Sequence, residues 1–149
     1  MKASISILLT AGLSFYLCSF SEGQAETYSL TVKVEKLQNS KGVVQFALYN
    51  KGGSIPDEDY KHYYRLEKTK IVNGKSEIIF KSLPKGKYAV NILHDENNNG
   101  KIDKGLLLPK EGIGFSRYQT IGLRNRPNFS KASFELNANY EIEVKIIYM

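Results

Sequence analysis

The sequence predicts an all-β domain, an antiparallel β-sandwich of seven to eight short strands. Apolar residues recur at every second position in several runs, and glycine- and proline-containing turns separate these runs. No segment after residue 25 keeps a helical period over three turns. Because successive side chains of a strand point to opposite faces, this alternation predicts sheets with one buried face. Several short strands separated by turns are typical of a sandwich.

The alternating runs give the order of the strands. They lie at residues 30–35, 42–48, 66–72, 75–80, 88–93, 132–136 and 140–148. Asn73-Gly74, between the third and fourth runs, is the strongest short hairpin signal that a sequence contains. Pro84 and Gly86 predict a tight turn before the fifth run. Two long regions are expected to be irregular, residues 51–65, with at most one helical turn, and residues 95–128.

The first 25 residues predict a signal peptide. Lys2 supplies a positive charge, residues 5–20 are apolar or small, and Gly23 and Ala25 occupy the positions that signal peptidase reads. The apolar run is too short for a membrane span. Removal of 25 of the 149 residues leaves 124, enough for one domain at residues 26–149 without a transmembrane span. We therefore expect export to the periplasm or the extracellular space.

Cys18, the only cysteine, gives an alternative processing route. As the acylated first residue of a lipoprotein it would anchor the chain to the outer membrane, with residues 19–27 as a tether. Leu17 is bulky for a lipoprotein signal peptidase site, which favours cleavage after Ala25. The alternative function is then a surface lipoprotein that binds host or matrix macromolecules.

Charge and motifs exclude some classes of function. The net charge is +6, but the lysines are scattered and no run of five like charges occurs. This pattern is typical of a solvated surface, and no nucleic-acid module is recognisable. No Ser/His/Asp order, activated cysteine or glycine-rich phosphate loop is visible, so we do not expect an enzyme. We expect a binding or structural module with a protein or glycan partner at the cell surface.

The loop at residues 95–103 is the strongest candidate for a metal site. Oxygen-bearing side chains at alternate positions, followed by a glycine, are typical of calcium loops. The candidate ligands are Asp95, Asn97, Asn99, the Lys101 carbonyl, Asp103 and, if the chain folds back, Glu111. Leu106 stands where an EF-hand has its bidentate glutamate, so we expect at most weak, structural Ca²⁺ binding. The alternative is a metal-free loop whose side chains cap their own backbone.

Aromatic and arginine side chains in the two long regions are the candidate interaction surface. Such residues are common anchors of interfaces, and loops on a rigid β scaffold are the usual place for a binding surface. The candidates are Tyr60, His62, Tyr63, Tyr64, Arg65, Arg117, Tyr118, Arg124 and Arg126.

Three segments in order carry a family resemblance. They are Phe80-Lys-Ser-Leu-Pro-Lys-Gly-Lys-Tyr-Ala-Val, His94-Asp-Glu-Asn-Asn-Asn-Gly-Lys-Ile-Asp103 and Pro109-Lys-Glu-Gly-Ile-Gly-Phe-Ser116. Together they resemble the DUF2141 family of exported bacterial domains, over nearly all of residues 30–148. The resemblance implies a prealbumin-like or immunoglobulin-like sandwich and no established activity. Leu107, where the family usually has glycine, and Ile113, where an aromatic is common, depart from the family pattern.

Overall fold

The computed structural model describes residues 25–106 and 108–149. The predicted signal peptide, apart from Ala25, therefore lies outside the described residues, as do Cys18 and Leu107. The elements are β1 (Thr27–Val34), β2 (Val43–Tyr49), β3 (Arg65–Thr69), β4 (Ser76–Pro84), β5 (Gly86–Asp95), β6 (Ile113–Phe115), α1 (Phe129–Ala132), β7 (Phe134–Leu136) and β8 (Tyr140–Glu143).

The eight strands form two sheets that pack face to face, which confirms the predicted all-β sandwich. The smaller sheet has the order β4-β1-β8, and the larger has the order β3-β2-β5-β6, with β7 also pairing with β5. Every pair is antiparallel except β1 with β8, which is parallel. The sequence did not predict this parallel pair, because alternation of apolar residues reports the buried face of a strand and not its direction.

The hairpin between β3 and β4 forms as its sequence predicts. Asn73 and Gly74 both have positive φ, 52° and 71°, as a two-residue type I′ turn requires. Val72 and Lys75 exchange two backbone hydrogen bonds across it, of 2.9 and 3.0 Å. This hairpin takes the chain from the larger sheet to the smaller one.

The core between the sheets, which we call the inner core, consists of the alternating residues that the sequence marks. Its buried members include Leu30, Val32 and Val34 of β1, Val44, Phe46 and Leu48 of β2, and Tyr88, Val90 and Ile92 of β5. Each apolar side chain removed from water here stabilises the fold by about 1.5–3 kcal/mol.

A second core, the outer core, covers the other face of the larger sheet. Strands β2 and β5 are buried on both faces almost along their whole length. The two long irregular regions fold across that face and cover it. The outer core comprises Ala47, Tyr49, Ile55, Tyr60, Ala89, Leu93, Ile113, Phe115, Tyr118, Phe129 and Ala132.

Several element boundaries differ from the prediction. Residues 95–128 are not irregular throughout, because Ile113–Phe115 pairs with β5 and forms β6. Ala132 belongs to α1, whose first turn is capped by the Asn128 side chain accepting from the Lys131 amide, and not to a strand. The last run pairs with β1 only as far as Glu143, after which Ile147 pairs with Ile113 of β6. The C-terminal segment therefore leaves the smaller sheet and joins the edge of the larger one. In the part of the chain that the structure describes, no helix is long and apolar enough to cross a membrane.

Candidate functional site

An open groove lies beside the outer core, over strand β6 of the larger sheet. We call it the loop groove; its volume is about 370 Å³. Its floor is formed by Ile113 and Phe115 of β6, and residue Met149 lies at its border. Its walls come from three loops. The first wall comprises Pro56, Asp57 and Glu58, the second comprises Ile102, Lys104, Leu108 and Pro109, and the third comprises Ile121, Gly122, Leu123, Arg126 and Pro127. Most of these side chains are apolar.

Large apolar side chains beside this groove remain in water. Leu106 is 98% exposed, Leu123 is 74% exposed and Leu108 is 44% exposed. Single exposed leucines are common on protein surfaces, whereas several around one concave site mark a region that binds something. The loop groove is therefore the strongest candidate site among the described residues.

The first two walls are tied to each other through Glu58. The Ile102 amide donates to the Glu58 carbonyl at 3.0 Å, and the Lys104 ammonium forms an ion pair with the Glu58 carboxylate. The second wall is a short hairpin in which the Gly105 amide donates to the Leu108 carbonyl at 2.7 Å. The bonds to Glu58 join the insertion at residues 51–65 to the end of the loop at residues 95–103, which we call the acidic loop, and to Lys104 directly after it.

The third wall is held by Tyr118. This side chain is buried against Phe115, with ring centroids 6.1 Å apart. Its hydroxyl donates to the Arg126 carbonyl at 3.2 Å and accepts from the Asn128 amide at 3.1 Å. The sequence marks Tyr118 as a surface anchor, and the structure corrects this, because the apolar ring is more stable in the outer core. Tyr118 instead supports the backbone that presents Arg126.

Asp57 closes the turn that forms the first wall. Its carboxylate accepts from the Lys61 amide at 3.0 Å, the His62 amide at 2.8 Å and the Tyr49 hydroxyl at 3.2 Å. Burial raises the pKa of Asp57, but the two backbone amides and the His62 ring lower it more, so the pKa lies below its usual value. Asp57 therefore remains ionised and its oxygens face the protein.

The acidic loop folds beside the second wall, and its side chains cap its own backbone. The Asp95 carboxylate is buried and accepts from the Asn99 and Gly100 amides at 3.0 and 2.9 Å. The exposed side of the loop brings together Asp103, Asn97 and Asn99. The two side-chain amides donate to the Asp103 carboxylate at 2.6 and 2.8 Å, and they lower its pKa.

Glu111 folds back to the loop, as the metal hypothesis requires. Its two carboxylate oxygens accept from the Glu96 and Asp103 amides at 3.0 and 3.4 Å, while burial raises its pKa. Over residues 25–106 and 108–149, no group of three or more His, Cys, Asp or Glu side chains is placed to hold a metal ion. Calcium binding, with the Lys101 carbonyl among its ligands, stays a prediction.

The other predicted interaction residues do not form one surface. Tyr60 is buried, with its hydroxyl donating to Asn91 Oδ1 at 3.2 Å, because the insertion closes over the outer core. Tyr63 and Tyr64 are exposed and do not line the groove, and the Tyr64 ring lies 6.1 Å from that of Tyr88 near the start of β5. Four further candidates, His62, Arg65, Arg117 and Arg124, are not part of the groove lining, whereas Arg126 is.

The sequence reasoning missed the apolar members of the groove. Leu108, Ile121 and Leu123 lie in the region predicted to be irregular, where only polar and aromatic side chains were candidates. One signal was available. Residues 106–108 are three consecutive leucines without strand periodicity, in a segment rich in charged residues and glycine. An apolar run that belongs to no strand indicates either a core contact or a binding surface.

Comparison with known proteins places the chain in a family. Neither the curated proteins nor the solved structures contain a significant match to it. The family model described as an uncharacterized protein conserved in bacteria, DUF2141, matches residues 32–143. This range extends from β1 to the end of β8 and covers well over half of the 149 residues. The chain therefore belongs to the DUF2141 family.

Proposed function

We propose that this protein is an exported binding module, secreted or held at the cell envelope, whose loop groove takes up a small apolar ligand. The observation that supports this function is an apolar groove bordered by exposed leucines. Its volume of about 370 Å³ lies within the range of small-ligand sites, about 300–1,000 Å³. The two cores beneath hold the loops in place, which keeps the ordering cost of binding low.

A titration with decan-1-ol, an uncharged apolar probe, tests this function. We expect NMR amide shifts concentrated at groove residues such as Ile113 and Gly122. Leu108→Asp places a charge on the wall and should weaken binding at least about tenfold, since desolvating an unpaired carboxylate is costly. Val72→Asp is the matched control, because Val72 is also exposed, at 65%, and lies in the hairpin outside the groove.

Two results would contradict the proposal. One is the absence of decan-1-ol binding to the wild-type chain. The other is binding that Leu108→Asp and Val72→Asp weaken equally, which would indicate non-specific adsorption to the surface.

Export rests on the sequence pattern of residues 1–25. Expression of the full chain in a bacterial host, followed by cell fractionation, should give an envelope or secreted product that starts at Glu26. Palmitate labelling of Cys18, lost in Cys18→Ser, would establish the lipoprotein alternative instead. A full-length chain in the cytoplasm would contradict both routes.

We also propose weak Ca²⁺ binding at the exposed side of the acidic loop. The side chains of Asn97 and Asn99 both lie within hydrogen-bonding distance of the Asp103 carboxylate there. Rotation of the two amides would replace their N–H donors with oxygen ligands.

At Ca²⁺ one hundred times above Kd the stabilisation is about 2.7 kcal/mol, a shift of several degrees in Tm. Asp103→Ala should abolish this shift, and Asp59→Ala, outside the loop, should not. Equal melting curves in Ca²⁺ and in chelator would leave only the self-capped loop.

A further inference from the structure

The charges around the loop groove determine which apolar ligand fits it. Four charged residues line the groove: Asp57, Glu58, Lys104 and Arg126. Glu58 and Lys104 neutralise each other in an ion pair. The Asp57 side chain is 3% exposed and its oxygens bind the backbone of its own turn and the side chains of Tyr49 and His62.

Among these four, the buried Asp57 carboxylate is turned toward its own turn, and Arg126 is the charged residue that is exposed and outside the ion pairs of the described residues. The residue as a whole is exposed, and its guanidinium forms no ion pair with any residue in the described ranges. Its backbone is fixed through the Tyr118 hydroxyl, so the side chain starts from a defined position beside Pro127 and Leu123. An arginine presents a planar set of donors that matches a carboxylate in two parallel hydrogen bonds.

The size of the groove favours a small molecule over a macromolecule. A stable protein–protein interface buries about 800 Å² on each partner. A groove of about 370 Å³ is near the lower end of small-ligand sites and too confined for an interface of that kind. An elongated alkyl chain fits the apolar floor formed by Ile113 and Phe115.

We propose that the loop groove binds a linear alkyl carboxylate, such as a medium-chain fatty acid, with its chain on the apolar floor and its carboxylate on Arg126. This inference rests on the proposed function, since it names the chemistry of the ligand for the same groove. Burial of the alkyl chain supplies most of the binding free energy, and the Arg126 side chain supplies the preference for an anion.

Calorimetry with three probes of equal chain length tests the inference: decanoate, decan-1-ol and decyltrimethylammonium, each below its micelle-forming concentration. The wild-type chain should bind decanoate at least about tenfold more tightly than decan-1-ol, because a charge-assisted bidentate pair favours the anion. The cationic probe should bind most weakly.

Arg126→Gln should reduce decanoate affinity to that of decan-1-ol and leave decan-1-ol affinity unchanged. Arg126→Lys should retain part of the preference. Arg124→Gln, which removes the same charge two residues away and outside the lining, should keep the wild-type preference. Circular dichroism melting establishes that each variant is folded, as expected for exposed side chains.

The outcomes separate the two levels of the proposal. Equal affinity of the wild-type chain for decanoate and decan-1-ol overturns the carboxylate inference, but the proposed binding of an apolar ligand in the groove still holds. An equal loss of decanoate preference in Arg124→Gln and Arg126→Gln also overturns it, because the effect would then come from net charge. Binding of none of the probes overturns both the inference and the proposed function.

Discussion

The inner core and the outer core both consist of buried apolar residues, yet they are built in different ways. The inner core is formed by strand side chains that interdigitate from two sheets. The outer core is closed by loops and contains buried polar groups, among them Gln45, Asn91, Asp95 and Asp57. Asn91 Nδ2 is buried without a hydrogen-bond partner among the described residues. A polar group in that state costs free energy, so the outer core is less well optimised.

Because of this difference, the strands provide most of the stability of the fold, and the loops provide the candidate binding site. Strands satisfy their backbone hydrogen bonds with each other, so their apolar faces can pack without interruption. Loops must satisfy the same groups with side chains and turns, which introduces polar atoms and gaps. The loop groove is located where three loops meet over the larger sheet. The comparison predicts that core mutations have unequal costs and that groove mutations have little cost to folding.

The largest expected effect is a loss of packing in the inner core. Phe46→Ala removes a fully buried ring from β2 and should cost near the upper end of about 3–5 kcal/mol of unfolding free energy. Phe129→Ala, in the outer core, should cost near the lower end, because the covering loops can collapse into the space. Urea denaturation measures both values. Equal costs would show that the two cores are equally rigid.

The second effect concerns the contact between β6 and the C-terminal segment, which runs from the smaller sheet to the edge of the larger one. A Cβ added to Gly114 would lie 2.4 Å from the Lys145 carbonyl oxygen and 2.9 Å from Ile92 Cγ1. Gly114→Ala must therefore push the C-terminal segment away from β6, at about 1–3 kcal/mol. Gly52→Ala is the control, since a Cβ there meets nothing within 4 Å. Similar Tm values for the two variants would contradict this close contact.

The third effect is the pH dependence of the outer core. Because the folded pKa of Asp57 lies below its unfolded value, its contribution is complete above about pH 3.9 and is lost as pH falls through the folded pKa. Asp57→Asn should lower the unfolding free energy by about 2 kcal/mol at pH 7. Urea denaturation at decreasing pH should show this difference shrinking toward pH 2. A difference independent of pH would attribute the effect to shape and not to charge.

The smallest effect on folding is expected at the groove. Leu123→Asp changes a side chain that is 74% exposed and should alter the unfolding free energy by no more than about 0.5 kcal/mol. The same variant should weaken decan-1-ol binding at least about tenfold, measured by calorimetry. A large loss of stability would mean that Leu123 belongs to the outer core, and the separation of stability from binding would then fail.

The sequence predicts the inner core well because each of its strands repeats one local rule. The alternation in β1, β2 and β5 identifies the buried face, and Asn73-Gly74 identifies the hairpin. The same rule fails for the outer core, because Gln45 and Asn91 read as solvent-facing residues. They are buried by segments more than ten residues away in sequence, and no local sequence pattern predicts burial by such distant segments.

The sequence also indicated the position of some candidate site residues and not of others. Arg126 lines the groove and Glu111 folds back to the acidic loop, while Tyr60 and Tyr118 turn inward. An exposed and a buried tyrosine have the same local sequence signals. Only the apolar area available in the folded chain decides between them.

By itself, the sequence determined that the chain forms β-strands, which faces of those strands are buried, where the hairpin turns and that an oxygen-rich loop follows β5. These features depend on neighbouring residues and on backbone stereochemistry. The tertiary structure alone decided the parallel pairing of β8 with β1, the burial of both faces of β2 and β5, and the meeting of three loops at the groove. Each of these is a contact between residues distant in the chain, whose free energy exists only after the two cores have formed.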